Sequence, residues 1–297
     1  IWPGRAVHAG GRFRRTRAQP NPKGNLIAHS LILLAGGLGS RFGGPKQLEP
    51  VGPNDEPIFA ITAAQAQRAG IERLILVSRA EVEQRLLEAA DQYVSGLEVV
   101  SVRQDLAGPT RERPWGTAHA VGACADVLDG PYGVANGDDL YGDPSLQLLA
   151  TSLAEQPNDG VLVSFELAGT LSDHGGVSRG ICEVTDARLK SVVETHGLFA
   201  HPSGIGVSDD DGATYPDDTP ASMNLWGLPA WTAGLMAERF ERFLAGHPGP
   251  DDEFLLPTEI ARMMADDGLS IRVVRSSGRW IGLTHRDDLP EVRAALA

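Results

Sequence analysis

The amino-acid sequence predicts an α/β domain with a mostly parallel sheet, to which its second half adds shorter antiparallel strands. From about Asn25 onward, short apolar runs alternate with helical patterns, which is typical of parallel strands joined by crossover helices. The first such run, residues 31–35, indicates a buried strand. After residue 160 the strands become shorter and alternate in polarity, as in antiparallel additions or mixed edges.

The elements of the first half follow from apolar periodicity and helix-start signals. Pro57 suits the first turn of a helix that carries Ile58 and Ile61 inward and closes at Gly70. Asp143 followed by Pro144 predicts the N-cap and first turn of a later helix. The other predicted elements of this half are strands at 31–35, 74–77, 97–102 and 132–135, and helices at 80–90 and 117–127.

The second half contains strand and helix signals around one long polar segment. The predicted strands are 161–167, 180–184, 189–194, 222–228 and 269–274, and the predicted helices are 229–245 and 253–266. The segment 198–220 is rich in Gly, Asp and Pro and is too long for an ordinary connection. We expect it to be a solvated hairpin loop or a lid.

Length and composition indicate a globular domain. The chain has 297 residues, of which 42% are apolar, so it can bury a substantial core. Residues 1–24 are rich in Arg, Gly and Pro and lack apolar periodicity, so we expect a disordered basic tail followed by a single domain over residues 25–297.

Charge and cysteine usage narrow the class of protein. The formal net charge of −13 argues against a general nucleic-acid binder, which depends on many cations. Cys124 and Cys182 show neither a disulfide-like nor a zinc-like spacing, which favours a reducing, cytoplasmic location. No apolar run approaches the roughly 18 residues that span a bilayer, so no membrane association is expected.

The stretch 31–47, LILLAGGLGSRFGGPKQ, is the most informative motif. A Walker A loop would need Ser or Thr after the lysine, but Gln47 follows Lys46, and a dinucleotide fingerprint would need a small residue where Phe42 stands. The glycines leave backbone N–H groups open to an anion, and Arg41 and Lys46 add positive charge. The stretch therefore predicts a phosphate site of another kind.

The loop from Leu34 to Arg41, followed by Pro45 and Lys46, resembles the signature loop of the sugar-phosphate nucleotidyltransferases. That resemblance implies a Rossmann-like three-layer αβα sandwich, with a mostly parallel mixed sheet and a smaller antiparallel sugar-side addition. It implies transfer of a nucleoside monophosphate from an NTP to a sugar 1-phosphate, with magnesium, to give a nucleotide sugar and pyrophosphate. Residues 25–160 would then form the nucleotide-binding half, and 161–297 the sugar-phosphate-binding half.

The resemblance also assigns roles to individual residues. Arg41, Lys46 and Asp138 are the expected catalytic residues, and Asp138, just beyond a short strand, is the expected magnesium ligand. The expected nucleotide-binding residues are Leu34, Ala35, Gly36, Gly37, Gly39, Ser40, Gln104, Gly116 and Thr117. The expected sugar-binding residues are Gly176, Glu194 and Asn224.

The sequence departs from the family pattern at two places. Thr195 follows Glu194 where some members have a second catalytic lysine, which leaves His196, Lys190 or no residue as its replacement. Gly282 stands where many relatives have a second metal-binding aspartate. The metal site would then rest on Asp138 alone, on a substitute such as Asp287, or on a subfamily arrangement.

Two alternative functions stay open on this evidence. The Pro45–Gln47 segment also resembles cytidylyltransferases that act on a non-sugar phosphate acceptor. The missing aspartate and lysine also allow a catalytically inactive regulatory protein that binds a nucleotide sugar. The sequence names neither the base nor the sugar, and it leaves a homo-oligomer open.

Overall fold

The computed structural model of the chain describes residues 29–37, 42–172, 175–207, 210–283 and 286–296. The predicted basic tail, residues 1–24, lies outside the described residues. Among the helices that the structure describes, none is both long enough and apolar enough to cross a membrane.

The strands alternate with helices in the first half and follow one another in the second. They are β1 (Ser30–Leu34), β2 (Arg73–Ser78), β3 (Glu98–Arg103), β4 (Tyr132–Asn136), β5 (Asp139–Leu140), β6 (Gly160–Glu166), β7 (Val177–Thr185), β8 (Arg188–His201), β9 (Gly204–Val207), β10 (Asp210–Tyr215), β11 (Pro220–Leu228), β12 (Ile271–Arg275) and β13 (Ile281–Gly282). The helices are α1 (Ile58–Arg68), α2 (Ala80–Tyr93), α3 (Thr117–Gly122), α4 (Asp143–Glu155), α5 (Trp231–Ala245), α6 (Leu256–Asp266) and α7 (Leu289–Leu296).

One large mixed sheet organises the described residues, in the order β10-β9-β8-β12-β6-β11-β4-β1-β2-β3, with β7 paired to both β8 and β11. β4, β1, β2 and β3 run parallel to one another, whereas β11 is antiparallel to its neighbours β4 and β6. The strands from β7 to β10 form antiparallel pairs. The α/β class with a mixed sheet is therefore confirmed.

Helices pack on both faces of the parallel part of the sheet. Leu31 and Leu33 of β1 share an apolar cluster with residues of α1, α2 and α4. Ile32, between them, belongs to a second cluster with residues of α3, α5 and α6. This alternation follows from the two-residue period of a strand and explains why β1 is apolar throughout.

The segment 198–220 is not the loop that its composition predicted. β8 continues to His201, and β9 and β10 follow it within this segment. Phe199 faces Gly206 across the β8–β9 ladder, and a Cβ on Gly206 would lie 2.7 Å from the Phe199 ring. Gly206 thus leaves space for the aromatic ring of Phe199 to pack. In the sequence, the same glycine counts as evidence for a loop.

Two other local predictions are corrected. The helix expected over 117–127 ends at Gly122, where an added Cβ would lie 3.0 Å from the backbone nitrogen of Ala237 on α5. Asp143 is the first residue of α4 rather than its N-cap, and its carboxylate accepts a hydrogen bond of 2.8 Å from Nε of Arg68.

Candidate active site

The carboxyl ends of β1 and β4 bring the glycine loop and Asp138 together. The two strands are parallel neighbours, with Leu34 opposite Asn136, and the backbone N–H of Gly137 donates to the carbonyl of Leu34 at 3.0 Å. A Cβ on Gly137 would lie 3.1 Å from that carbonyl oxygen, so the two chain segments are in close contact. Asp138 therefore follows directly after a point of contact with the loop.

The described ends of the glycine loop are held by side chains from elsewhere in the chain. Gln47 is buried and donates from Nε2 to the carbonyls of Ala35, at 2.6 Å, and Gly37, at 3.2 Å. At the other end, Nε of Arg286 donates to the carbonyl of Phe42 at 2.9 Å. Gly39, Ser40 and Arg41 lie outside the described residues, and their roles stay predictions.

Lys46 is an electrostatic neighbour of Asp138 at this edge. Burial raises the pKa of the Asp138 carboxyl, while the Lys46 ammonium and the Asp138 backbone N–H act in the opposite direction. Lys46 lies in a short 3-10 turn, Lys46–Leu48, directly after Pro45. The structure thus places two of the three predicted catalytic residues within electrostatic reach of each other.

Asp139 is a second carboxylate beside Asp138, and it is buried. Its Oδ2 accepts a hydrogen bond of 2.8 Å from Nδ2 of Asn136. Burial and the charge of Asp138 raise the pKa of Asp139 to about 7, although Asn136 and the indole of Trp280 oppose that shift. Two adjacent carboxyl groups with raised pKa values are a feature of a site that binds a cation or a reacting group.

Gly282 lies opposite Asp139 in the short β5–β13 ladder. A Cβ on Gly282 would lie 2.2 Å from the ring of Trp280, so the indole occupies the space of a side chain at this position. The position where the resemblance expected a second aspartate is therefore next to the carboxylates but filled by an aromatic ring. The side chain of Asp287, the suggested substitute, lies outside what the structure describes.

Asn224 approaches the same carboxylates from β11. It has a φ of 59°, a left-handed conformation that is uncommon outside glycine, at a register shift between Ser222 and Trp226. Its Nδ2 lies 3.5 Å from Oδ1 of Asn136, whose own amide contacts Asp139. This irregularity within β11 brings the predicted sugar-side asparagine into the hydrogen-bond network of the site.

The remaining predicted sugar-side residues lie on or beside the β7–β8 pair. Glu194 is opposite Gly180, and a Cβ on Gly176 would lie 3.1 Å from the Cα of Gly197. Burial raises the pKa of Glu194, while His196 and Arg179 lower it. Because Arg179 also interacts electrostatically with Asp139, Glu194 and Asp139 share this arginine as a neighbour.

Gln104 lies against the glycine loop, as expected of a nucleotide-side residue. Its side chain is buried, and a Cβ on Gly36 would lie 2.0 Å from its Nε2. Gly36 therefore leaves room for this amide.

Gly116 and Thr117 contact a different segment. A Cβ on Gly116 would lie 2.5 Å from the carbonyl oxygen of Phe254, and Oγ1 of Thr117 accepts a hydrogen bond of 2.9 Å from the N–H of Leu256. Their described contacts hold the start of α6, and their nucleotide-binding role stays a prediction.

Gln47, Asn136 and Arg179 were not assigned to the site from the sequence. Asn136 had a local signal, because it lies three residues before Asp139 and donates to its carboxylate. Gln47 and Arg179 had none, since the burial of the first and the strand pairing of the second depend on the folded chain.

The donor set suits a hard cation shared with a substrate. Among the described residues, no group of three or more His, Cys, Asp and Glu side chains could enclose a metal ion. Asp138 provides carboxylate oxygens at a strand end, and magnesium is commonly held by one or two carboxylates together with substrate phosphates. The residues present therefore fit that mode and not an all-protein cage.

The comparisons with known proteins agree with this geometry. The family model described as a MobA-like NTP transferase domain matches residues 31–163. No curated protein matches the chain.

Three solved structures share its fold at low identity. A protein assigned as a glucose-1-phosphate thymidylyltransferase from Bacillus anthracis, solved with sucrose, has a TM-score of 0.61 and 15% identity over 90% of this chain and 94% of its own. A UDP-glucose pyrophosphorylase solved with UDP-glucose has a TM-score of 0.60 and 17% identity over 91% and 98%. A UDP-glucose pyrophosphorylase from Acinetobacter baumanii has a TM-score of 0.58 and 20% identity over 91% and 93%.

The matched segment contains β1, β4, the described loop ends, Lys46 and Asp138, which are the features on which the resemblance depended. The resemblance found in the sequence is supported by these comparisons: residues 31–163 match a MobA-like NTP transferase domain, and the chain shares the fold of the three solved structures over about nine tenths of its length.

Proposed function

We propose that the protein transfers a nucleoside monophosphate from an NTP to a sugar 1-phosphate and releases pyrophosphate. The observation that carries this proposal is the contact of the glycine loop with the end of β4, which brings Asp138 to the adjoining ends of β1 and β4 and within electrostatic reach of Lys46. A positive charge and a carboxylate at this edge can bind a triphosphate and a hard cation together. Residues 25–160 would be the nucleotide half and 161–297 the sugar-phosphate half of a three-layer domain.

The reaction needs positioning and charge neutralisation more than proton transfer. An oxygen of the acceptor phosphate attacks the α-phosphorus in line, the bond to the bridging oxygen breaks, and pyrophosphate leaves with that electron pair. Lys46 is placed to neutralise charge at the reacting phosphoryl group, and Arg41 is assigned to the departing pyrophosphate. Magnesium held by Asp138 would supply further neutralisation of the phosphate oxygens.

Asp139 and Gln104 would support this site without reacting. Asn136 orients the buried Asp139 carboxylate next to Asp138. Gln104, buried against Gly36, presents an amide that can donate to and accept from a nucleobase edge.

A non-sugar phosphate acceptor is the second candidate, because the matching family model is MobA-like and ends at residue 163. The sugar phosphate is favoured by the structure after that residue, where Asn224, Arg179 and Glu194 extend the site from β11, β7 and β8. A protein that binds the nucleotide without catalysis is the remaining alternative. Calorimetric binding of an NTP without pyrophosphate release on any acceptor would support it.

The test is a magnesium-dependent pyrophosphate-release screen that crosses the common NTPs with a panel of sugar 1-phosphates and non-sugar phosphates. On the active pair, Asp138→Ala and Arg41→Ala should each lower kcat by about 100-fold or more, because each removes charge from the transition state. Asp143→Ala and Arg68→Ala are matched controls from one exposed ion pair. Near-normal turnover in either site variant would refute the assignment, and failure of every pair would favour the binding protein.

A further inference from the structure

We propose that Arg179 of β7 binds the phosphate of the acceptor and supplies the positive charge on the acceptor side of the site. This inference rests on the proposed nucleotidyl transfer and adds a residue that the sequence analysis did not assign. Its basis is the strand register, the contacts that hold the guanidinium, and the charges around it.

The register places Arg179 where a cation was expected. Arg179 lies directly opposite Thr195 in the β7–β8 ladder, and Thr195 directly follows Glu194. Residues opposite each other in an antiparallel pair share a face, with Cβ atoms about 4.5–5.5 Å apart. The positive charge that position 195 lacks can therefore come from the neighbouring strand.

The two replacements suggested by the sequence are less well placed. Lys190 is exposed and lies four residues before Glu194 on β8, about 13 Å along an extended strand. His196 lies closer, but its Nδ1 is 2.7 Å from Oγ of Ser178. Arg179, in contrast, interacts electrostatically with both Glu194 and Asp139.

The guanidinium of Arg179 is held in one orientation by described residues of β7 and of the segment that precedes it. Its Nε donates to the carbonyl of Thr170 at 3.0 Å, its Nη1 donates to the carbonyl of Ser178 at 2.7 Å, and its Nη2 also donates to Thr170. Its Cζ lies 4.9 Å from the ring centroid of Trp280. A guanidinium has five N–H groups, and the hydrogen bonds to described residues use three of them, so within this part of the chain two can serve a further acceptor in a cation that is already ordered.

Arg179 is a positive charge beside two carboxylates, Asp139 and Glu194. Burial lowers the pKa of Arg179, and the carboxylates of Asp139 and Glu194 act against that shift. A sugar phosphate that enters between these carboxylates would be repelled unless a cation met its phosphate group. Arginine suits that task, because its planar fork can bind a phosphate through two N–H groups.

The contact between Arg179 and the ring of Trp280 connects the two positions at which the sequence departs from the family pattern. The guanidinium of Arg179 packs against the ring of Trp280. The same ring fills the space beside Gly282, because a Cβ on Gly282 would lie 2.2 Å from it. A larger side chain at position 282 would displace the indole from that space. The glycine that replaces the expected aspartate is thus part of the support for the arginine that replaces the expected lysine.

The first test compares Arg179→Gln with Arg188→Gln on the pair found in the pyrophosphate screen. Arg188 is at the other end of the same hairpin, where its Nη1 donates to Asp159 at 2.8 Å. We expect Arg179→Gln to raise the KM for the sugar phosphate by about 10- to 100-fold, the range for a lost charge-assisted hydrogen bond. The KM of Arg179→Gln for the NTP should stay within about twofold of the wild-type value. In Arg188→Gln, the KM values for the NTP and for the sugar phosphate should both stay within the same range.

A second variant separates phosphate binding from a structural role. Adding Thr195→Lys to Arg179→Gln returns a cation to the same face from the opposite strand, so the KM for the sugar phosphate should fall again. A purely structural defect would not respond to that charge. An unchanged KM in Arg179→Gln, or no recovery in the double variant, would overturn the proposal.

A binding measurement keeps this inference distinct from the proposed function. Calorimetric titrations of the wild type and Arg179→Gln with glucose 1-phosphate, glucose and inorganic phosphate need no turnover. Phosphate-dependent binding that is lost in Arg179→Gln would support the inference even if no substrate pair reacted, an outcome that would reject the proposed transfer alone. Equal binding by both proteins, or none by the wild type, would reject the role of Arg179.

Discussion

Replacing Gly36 by alanine would place a methyl group where the side-chain amide of Gln104 lies. The added Cβ would be 2.0 Å from Nε2 and 3.1 Å from Cδ of Gln104, with Cγ of Arg79 at 3.5 Å. Carbon and nitrogen atoms in ordinary contact are more than 3 Å apart, so the Gln104 amide must move by about 1 Å or more. Gln104 and Arg79 are both buried, which leaves little room for that movement.

The effect of Gly36→Ala on the free energy of unfolding can be estimated from similar substitutions in packed sites. Inserting a methyl group into a packed site forces side chains off their preferred rotamers and costs typically about 1–3 kcal/mol. We expect Gly36→Ala to lower the free energy of unfolding by this amount. Gly37→Ala is the matched control, because no atom of the described residues lies within 4 Å of its added Cβ.

Urea unfolding of both variants measures the difference. Adding Gln104→Ala to Gly36→Ala removes the colliding amide and should recover most of the loss, so a double-mutant cycle would give a coupling energy of similar size. Equal unfolding free energies for Gly36→Ala and Gly37→Ala would refute the reasoning. A coupling energy near zero would do the same.

Two further predictions concern residues near the loop 107–116. The Thr117 hydroxyl accepts a hydrogen bond from the N–H of Leu256 at the start of α6, so Thr117→Val should lower the free energy of unfolding by about 0.5–2 kcal/mol. The affinity for the NTP should stay unchanged. Weaker NTP binding at unchanged stability would instead favour the predicted nucleotide contact. Burial lowers the pKa of His119 below its ordinary value of 6.5, so its contribution to stability is complete above that pH and is lost as the pH falls towards the folded-state pKa. The unfolding free energy of the wild type should therefore fall more than that of His119→Gln between about pH 7.5 and pH 5; urea titrations with parallel pH dependence would contradict this.

Local sequence patterns predict some residues of the candidate site but not the partners that hold them. The glycine loop after β1 and Asp138 after β4 could be predicted, because both follow short apolar runs whose strand character is local. Their proximity was also predictable, since parallel strands present their carboxyl ends at one edge of the sheet. The partner of the loop was not: Gln47 acts through hydrogen bonds that depend on the folded chain.

The error over residues 198–220 has a related cause. Gly206 accommodates the ring of Phe199 from the paired strand. In the sequence, however, a segment with glycines among polar residues has the composition that is typical of a loop. The difference lies in the cross-strand neighbour, which composition does not contain. The positive φ of Asn224 likewise depends on a register shift in β11.

The sequence by itself determined the α/β class and predicted the phosphate loop and the carboxylate expected to accompany it, because strand periodicity, glycine freedom and side-chain charge are properties of short segments. Only the tertiary structure placed Arg179 opposite Thr195, set Trp280 beside Gly282 and buried Gln104 against Gly36. The first contact depends on strand register and the third on packing between distant segments, while the indole beside Gly282 also contacts Arg179 of a distant strand. A register shift of one residue would send the side chains of a strand to the other face of the sheet.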